Sequence, residues 1–251
     1  DADIMGTPFY VMEFVEGPVI RGPEQAAAFP SEEQRRRLGE GLVETMTRIH
    51  SVDVAEVGLG ALGRHDGYVQ RQLKRWSGQW EKSKTRALPL DEDVHARLVE
   101  LAPPQSASTL VHGDYRLDNV IYSPTGEVAA VVDWELCTIG EPLADLGLLM
   151  VYWREADDEP IPLITPATVE PGFPKRAELA GLYAEITGRD ISKLDYFVAL
   201  GFWKLAIIAE GVLARFAAGQ YGEEVGDVVE RSRATIDLLV GQADEAINRI
   251  A

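Results

Sequence analysis

The sequence predicts an α+β fold, in which a mostly helical body surrounds a small β-hairpin. Long segments with apolar residues at helical spacing occupy most of the chain, whereas short β-branched segments are confined to its opening and to residues 109–132. Of the 251 residues, 46% are hydrophobic and 26% are charged. This composition is typical of globular proteins and excludes a disordered chain, a collagen and a coiled coil.

The first 103 residues contain one predicted strand and three predicted helices. Residues 8–15 are β-branched and aromatic and are followed by a turn sequence, which predicts a strand. Ser31 and Gln34 have the spacing of a capping box, and the apolar residues after them predict a helix to about residue 50. Two further helices are predicted over residues 67–84 and from about 91 to the prolines at 103–104.

The middle of the chain changes to short strands. Residues 109–111, 119–122 and 128–132 are predicted strands, and the turn sequence at 123–126 joins the last two into a hairpin. Apolar periodicity then predicts the remaining helices, at 142–153, 174–187, 192–218 and 223–249.

The charge balance limits the classes of partner. The chain has 24 Lys and Arg against 41 Asp and Glu, a net charge of −17 at pH 7. So acidic a surface repels phosphate backbones and anionic lipids, and we therefore expect neither a nucleic-acid nor a membrane partner. Residues 196–219 are strongly apolar, but Lys204, Glu210 and Arg215 are costly in a bilayer, so a buried core helix is expected there. The oligomeric state is not indicated.

Cysteine usage and the first residues bear on the compartment. Cys137 is the one cysteine, so no internal disulfide is expected. The first residues lack the basic region and apolar run of a signal peptide. A cytoplasmic location is the expectation.

The densest polar cluster lies between two predicted strands, at residues 112–119 (His-Gly-Asp-Tyr-Arg-Leu-Asp-Asn). A tight hairpin brings the ends of its strands together, so Asn119 and Asp133 are expected to be neighbours. Asp114 precedes Asn119 by five residues. Carboxylate and amide oxygens are ligands that suit Mg²⁺, and a further carboxylate can accept a proton from a hydroxyl group.

These residues resemble the catalytic region of the aminoglycoside phosphotransferase family, which has a protein-kinase-like fold. The resemblance implies that Asp114 is the catalytic base, that Asn119 and Asp133 hold Mg²⁺, and that Arg116 lies near the transferred phosphate. It also implies that Asp145 braces the loop by accepting backbone hydrogen bonds. The sequence, including residues 112–119 and the predicted helix with Trp76 and Trp80, is most similar to the branch found as stand-alone bacterial proteins or fused to acyl-CoA dehydrogenases.

The opening segment is similar to a kinase hinge. There Met12 would be the gatekeeper, and the Glu13 carbonyl and Val15 amide would bind the adenine of ATP. The resemblance therefore implies that residues 1–18 are the end of a small lobe with the hinge, and that 19–251 are the helical large lobe. No Gly-rich phosphate loop or strand Lys precedes the hinge, so most of the small lobe is expected to be missing.

The predicted function is an ATP- and Mg²⁺-dependent O-phosphotransferase that acts on a small-molecule hydroxyl group. The acceptor is expected to be either aminoglycoside-like or a hydroxyacyl group, free or linked to CoA. A kinase-like nucleotide-binding module without turnover is the main alternative, and metal-dependent phosphoester hydrolysis is a weaker one because it needs more ligands. Residues 58–63 match G-x-G-x-x-G, but they follow the hinge and lie outside any βαβ unit, so a plain loop is predicted.

Overall fold

Periodic apolar sequence becomes helix along most of the chain. The computed structural model describes residues 4, 6–7, 9–162, 166–219 and 226–250. Within these residues the helices are α1 (Pro23–Ala26), α2 (Glu32–His50), α3 (Tyr68–Ser83), α4 (Pro89–Glu100), α5 (Pro142–Tyr152), α6 (Arg176–Thr187), α7 (Leu194–Ala217) and α8 (Gly226–Asn248). All seven predicted helices are confirmed, with ends that differ by a few residues, and only the four-residue α1 was not predicted.

The start of α2 shows how local sequence sets a helix boundary. The Ser31 hydroxyl oxygen accepts a hydrogen bond from the Gln34 N–H at 3.1 Å, and the Ser31 N–H donates to the Gln34 side-chain oxygen at 3.1 Å. This is the predicted capping box, which satisfies two backbone donors that a helix start leaves without partners. Leu38, Leu42 and Met46 then form the buried face of α2.

Four short strands form two antiparallel pairs. They are β1 (Thr109–Val111), β2 (Val120–Tyr122), β3 (Val128–Val131) and β4 (Thr138–Gly140). β2 and β3 form the predicted hairpin, with a register shift between Ile121 and Tyr122. β1, the predicted strand at 109–111, pairs with β4, a strand that the sequence did not predict.

The predicted opening strand is wrong over residues 9–15, and Pro8 lies outside the described residues. Tyr10, Val11 and Phe14 are more than four-fifths exposed, so their β-branched and aromatic side chains pack against no neighbouring strand in the described chain. Backbone pairing begins later, where Tyr122 N–H donates to Pro18 O at 2.9 Å and Val19 pairs with Ile121. The segment therefore joins the fold at the edge of β2.

Helix α7 is the centre of the helical body. It packs against α3, α4, α5 and α8, and half of its residues are buried, which confirms the predicted core helix. Within the described residues it is also the one helix long and apolar enough to cross a membrane, with a mean hydropathy of 1.8. Close contact with α5 depends on small residues, since a Cβ at Gly147 would lie 2.5 Å from the Phe197 carbonyl carbon.

Candidate active site

The polar cluster 112–119 forms a loop between β1 and β2, hereafter the 112–119 loop. It begins with a backbone conformation that requires glycine, because Gly113 has φ +84°. A Cβ there would also lie 2.7 Å from the Leu136 carbonyl oxygen. The loop ends in a 3₁₀ turn, Leu117–Asn119, which leads into β2.

Asp114 and Asn119 are brought together as the sequence predicts. The Asn119 amide nitrogen donates to the backbone oxygen of Asp114 at 2.8 Å and to its Oδ2 at 3.1 Å. In this orientation the Asn119 side-chain oxygen is left for another ligand. The Asp114 side chain is about one-fifth exposed, and its Oδ1 has no hydrogen-bond partner in the part of the chain that the structure describes. This oxygen is available to a bound molecule.

Asp133 follows β3, across the hairpin from Asn119, which precedes β2. The Asn119 carbonyl accepts a hydrogen bond from Val132 N–H at 2.9 Å, so the backbones of Asn119 and the residue before Asp133 are in contact. Asp133 has φ +66°, the one positive φ among the described non-glycine residues. Such conformations are costly and cluster at functional sites. Its carboxylate is exposed and makes no hydrogen bond or ion pair with the described residues.

The Arg116 side chain forms no hydrogen bond with any residue that the structure describes. Its guanidinium lies over the Tyr152 ring, 4.5 Å from the ring centroid. Its Nε is 3.6 Å from Asp114 Oδ2, and its terminal nitrogen is 3.5 Å from Asp118 Oδ2. Both distances are too long for strong hydrogen bonds. The Nε atom is buried, so the terminal N–H groups are the donors of Arg116 that remain available to an anion. Arg116 also lines a cavity of about 260 Å³ together with Tyr152 and Asp118.

Asp145, in the first turn of α5, fixes the start of the loop. Its two carboxylate oxygens accept hydrogen bonds from His112 N–H at 2.6 Å and Gly113 N–H at 2.8 Å. His50 lies at 3.3 Å from the same carboxylate and also contacts the Tyr183 hydroxyl at 2.9 Å. Burial raises the pKa of Asp145. The hydrogen bond and charge of His50 and the two backbone N–H groups lower this pKa by more than burial raises it, so the net pKa is below its ordinary value.

His112 supports the loop from inside. The ring is fully buried, and its Nδ1 accepts a hydrogen bond from Asp114 N–H at 3.2 Å. Its Nε2 lies 2.9 Å from the Val132 carbonyl oxygen, which can only accept. The partners therefore assign the proton to Nε2 and leave the ring neutral. His112 is therefore a structural support of the loop.

Lys204 is a contact that sequence reasoning did not find. From α7 its ammonium group donates to the Gly113 carbonyl at 2.6 Å and lies 5.3 Å from the centre of the Trp76 ring. Burial lowers the pKa of Lys204, against the opposing effect of the Asp114 and Asp145 charges. A charged residue inside a strongly apolar helix was the sequence signal that could have indicated a role for Lys204. The sequence analysis also did not find His50 and Tyr183, which lie behind Asp145.

The predicted hinge residues lie in a segment without regular secondary structure. Met12 and Glu13 are exposed, and Val15 is half-buried. The structure records no hydrogen bond or ion pair between residues 12–15 and the 112–119 loop within the described chain. Their assignment to adenine binding stays a prediction.

A further prediction concerns a motif that the sequence assigned to a plain loop. The G-x-G-x-x-G match at residues 58–63 lies in an irregular loop between α2 and α3, as predicted. Tyr68, Trp76 and Trp80 lie in α3 and are buried in the core. Neither set contributes a predicted ligand.

The donor set is a sparse one for a metal ion. Across the described residues, no group of three or more His, Cys, Asp or Glu side chains is placed to hold a metal. One carboxylate, from Asp133, and one amide oxygen, from Asn119, fit Mg²⁺, which commonly completes its octahedron with substrate phosphates and water. The set therefore fits a metal that arrives with a phosphate ligand.

Comparison with known proteins agrees with the geometry. A model of the phosphotransferase enzyme family matches residues 1–179. Acyl-CoA dehydrogenase family member 11 of Rattus norvegicus is 35% identical over 233 residues, which is 89% of this chain and 29% of that protein. Acyl-CoA dehydrogenase family member 10 of Mus musculus is 34% identical and is matched over 21% of its length. The chain thus spans less than a third of these relatives.

A solved structure extends the likeness to three dimensions. A protein from Ralstonia eutropha, provisionally assigned as an aminoglycoside phosphotransferase, is 30% identical and superposes with a TM-score of 0.78 over 93% of this chain and 72% of its own. The family match covers more than half of the chain and includes the 112–119 loop, Asp133 and Asp145. The chain therefore belongs to the phosphotransferase enzyme family of aminoglycoside phosphotransferases, with the kinase-like fold of that family.

Proposed function

We propose that this protein transfers a phosphoryl group from ATP, with Mg²⁺, to a hydroxyl group of a small molecule. One observation carries the proposal. Asn119 bonds Asp114 through its side chain and the backbone beside Asp133 through its carbonyl, so the proposed base and both proposed metal ligands belong to one connected unit. Family membership supports a phosphotransferase, and the nucleotide, the metal and the acceptor are the proposal.

The residues present fit the proposed cofactors. Asp133 offers a carboxylate that no described residue engages, and the Asn119 amide oxygen is not used by Asp114. In the hinge, neither the Glu13 carbonyl nor the Val15 N–H has a hydrogen-bond partner in the described ranges. Both backbone groups are therefore free to pair with an adenine edge, as the hinge of a kinase does.

The chain's own residues define the reaction geometry. When bound, magnesium–ATP supplies the phosphoryl group and neutralises the charge of its oxygens. Asp114 Oδ1 accepts the proton of the acceptor hydroxyl, while Oδ2 is held by Asn119. Arg116 presents unused N–H donors to the developing negative charge. Asn119 and Asp133 hold the metal.

The observations support two classes of acceptor molecule. The net charge of −17 favours a cationic acceptor such as an aminoglycoside. The relatives that match 89% of this chain bear acyl-CoA dehydrogenase names, which favours a hydroxyacyl acceptor that could be linked to CoA. A panel that contains both classes is therefore the first experiment.

The test measures ADP and phosphorylated product by ³¹P NMR, with the protein expressed from its complete reading frame, ATP, Mg²⁺ and the hydroxyl panel. Asp114→Asn should reduce turnover by about 100-fold or more, because general-base catalysis contributes about 10²–10⁴-fold. Its affinity for ATP, measured by calorimetry, should stay within about threefold. Asp66→Asn, which removes an exposed carboxylate elsewhere, is the matched control.

Three outcomes contradict parts of the proposal. Unchanged turnover in the Asp114→Asn variant removes Asp114 from its role. Nucleotide binding with no product from any acceptor favours the alternative of a binding module without turnover. Release of inorganic phosphate faster than transfer to any acceptor favours hydrolysis.

A further inference from the structure

Lys204 is a charged residue within an apolar helix, and it contacts the 112–119 loop. Lys204 lies in α7, the most apolar of the long helices, and its neighbours Trp203 and Ala206 are fully buried. A partly buried ammonium group loses hydration, and a protein retains it only where specific partners compensate. The partner here is one carbonyl oxygen, that of Gly113, at 2.6 Å.

The peptide group between Gly113 and Asp114 is the most flexible one in the loop unless hydrogen bonds fix it. Gly113 has φ +84° and no Cβ, so the peptide that joins it to Asp114 can rotate more freely than any other in the loop. Its N–H is fixed by Asp145 at 2.8 Å, and its carbonyl is fixed by Lys204. A hydrogen bond from a charged donor is about twice as strong as a neutral one and so resists a flip of this peptide.

Asp114 is then held on both sides. Its N–H donates to His112, and its carbonyl accepts from Asn119. Together with the two Gly113 contacts, four consecutive backbone groups before and at Asp114 are tied. Lys204 supplies the one tie that comes from α7, so it couples the direction of the Asp114 side chain to the core of the helical body.

Charges around Lys204 are consistent with this placement. The carboxylates of Asp114 and Asp145 attract the ammonium group, whereas Arg75 and Arg116 repel it. The ring of Trp76 adds a favourable cation–π contact. The cavity beside Lys204 has a volume of about 20 Å³, too small for a substrate, which favours an action of the lysine on the loop.

We propose that Lys204 is a positioning residue, which fixes the Gly113 carbonyl and through it the direction of Asp114. The inference rests on the proposed function of Asp114. A base displaced by about 1 Å can lose about 100-fold in rate. Lys204→Met, which keeps the length and removes the donor, should therefore lower kcat by about 10- to 100-fold and leave KM for ATP within about twofold. Lys204→Arg should recover at least a third of wild-type kcat, because a guanidinium also donates to a carbonyl.

Lys193→Met is the matched control, because Lys193 precedes the first turn of α7 and is exposed. A second measurement does not need turnover. Hydrogen exchange of the amides of residues 112–119 should accelerate at least fivefold in Lys204→Met and return towards wild type in Lys204→Arg. Unchanged kcat together with unchanged exchange in Lys204→Met overturns the inference and leaves the proposed function intact. Loss of rate in Lys204→Met through KM alone, or without rescue by Arg, also overturns it. Absence of turnover in the wild type contradicts the proposed function instead, and exchange then decides whether the Gly113 contact holds the loop.

Discussion

Replacement of Asp145 by Asn tests whether the loop is held by charge. The carboxylate is 1% exposed and accepts hydrogen bonds from two backbone N–H groups, of His112 and Gly113. An asparagine has one acceptor oxygen, so its NH₂ group must face one of those donors. Hydrogen bonds to charged groups contribute about 1.5–3 kcal/mol, and an unpaired buried donor costs about 1–3 kcal/mol.

We therefore expect Asp145→Asn to reduce the free energy of unfolding by about 3 kcal/mol at pH 7. For a chain of this size about 1 kcal/mol corresponds to roughly 2–4 °C, so the melting temperature should fall by about 6–12 °C. The assay is thermal unfolding followed by circular dichroism, with urea unfolding as a second measure. Asp157→Asn, at an exposed position, should melt within about 1 °C of the wild type.

The pH dependence gives the sharper result. The pKa of Asp145 is lowered in the folded state, so the unfolded state binds more protons in acid. The stabilisation is therefore present above the unfolded pKa of about 4 and is lost as the pH falls through the lower folded value. The difference between wild type and Asp145→Asn should shrink below about pH 4. A variant that melts within 1 °C of the wild type at pH 7 refutes the reasoning.

Three further changes test the structure. Gly113→Ala should lower the free energy of unfolding by about 2 kcal/mol or more, because the new Cβ is strained at φ +84° and collides with the Leu136 carbonyl. Gly58→Ala is the control, because Gly58 has φ +76° but open space around it, so that this variant measures the backbone strain alone. Equal melting temperatures for the two variants would contradict the contact with Leu136. Ser31→Ala should remove the capping box at a cost of about 1 kcal/mol in urea unfolding, and no change contradicts it. Burial raises the pKa of Asp91 to about 6, so stability should fall as the pH rises from about 4 to 6, and Asp91→Asn should abolish that slope.

Local signals predicted the helices and the hairpin because those elements depend on nearby residues. The capping box at Ser31 and the apolar face of α2 lie within one helix, and the turn at 123–126 closes the hairpin between its own strands. The opening segment shows the limit of this approach. Its pattern is that of a strand, but a strand needs a paired neighbour, and the described chain provides one only from Pro18 onwards.

The candidate site divides in the same way. Asp114, Asn119 and Asp133 could be predicted because they lie on one loop and its hairpin, within 20 residues of each other. The groups that support the loop are distant in sequence. His50 contacts Asp145 across 95 residues, and Lys204 contacts Gly113 across 91. Helical periodicity reports which face of a helix is buried, but not which loop a buried polar side chain reaches.

A lone charge within an apolar helix is nevertheless a signal that sequence alone can provide. Such a group is costly to bury, so it persists only where a specific partner compensates. The burial of Asp145 in α5 and of Lys204 in α7 is compensated by hydrogen bonds to the backbone of Gly113. Asp145 accepts from the Gly113 N–H, and Lys204 donates to the Gly113 carbonyl. Glu210, also in α7, instead accepts from Thr85 at the end of α3. Two of these three buried charges thus converge on the residue before Asp114, which is where a phosphotransferase gains most from a rigid backbone.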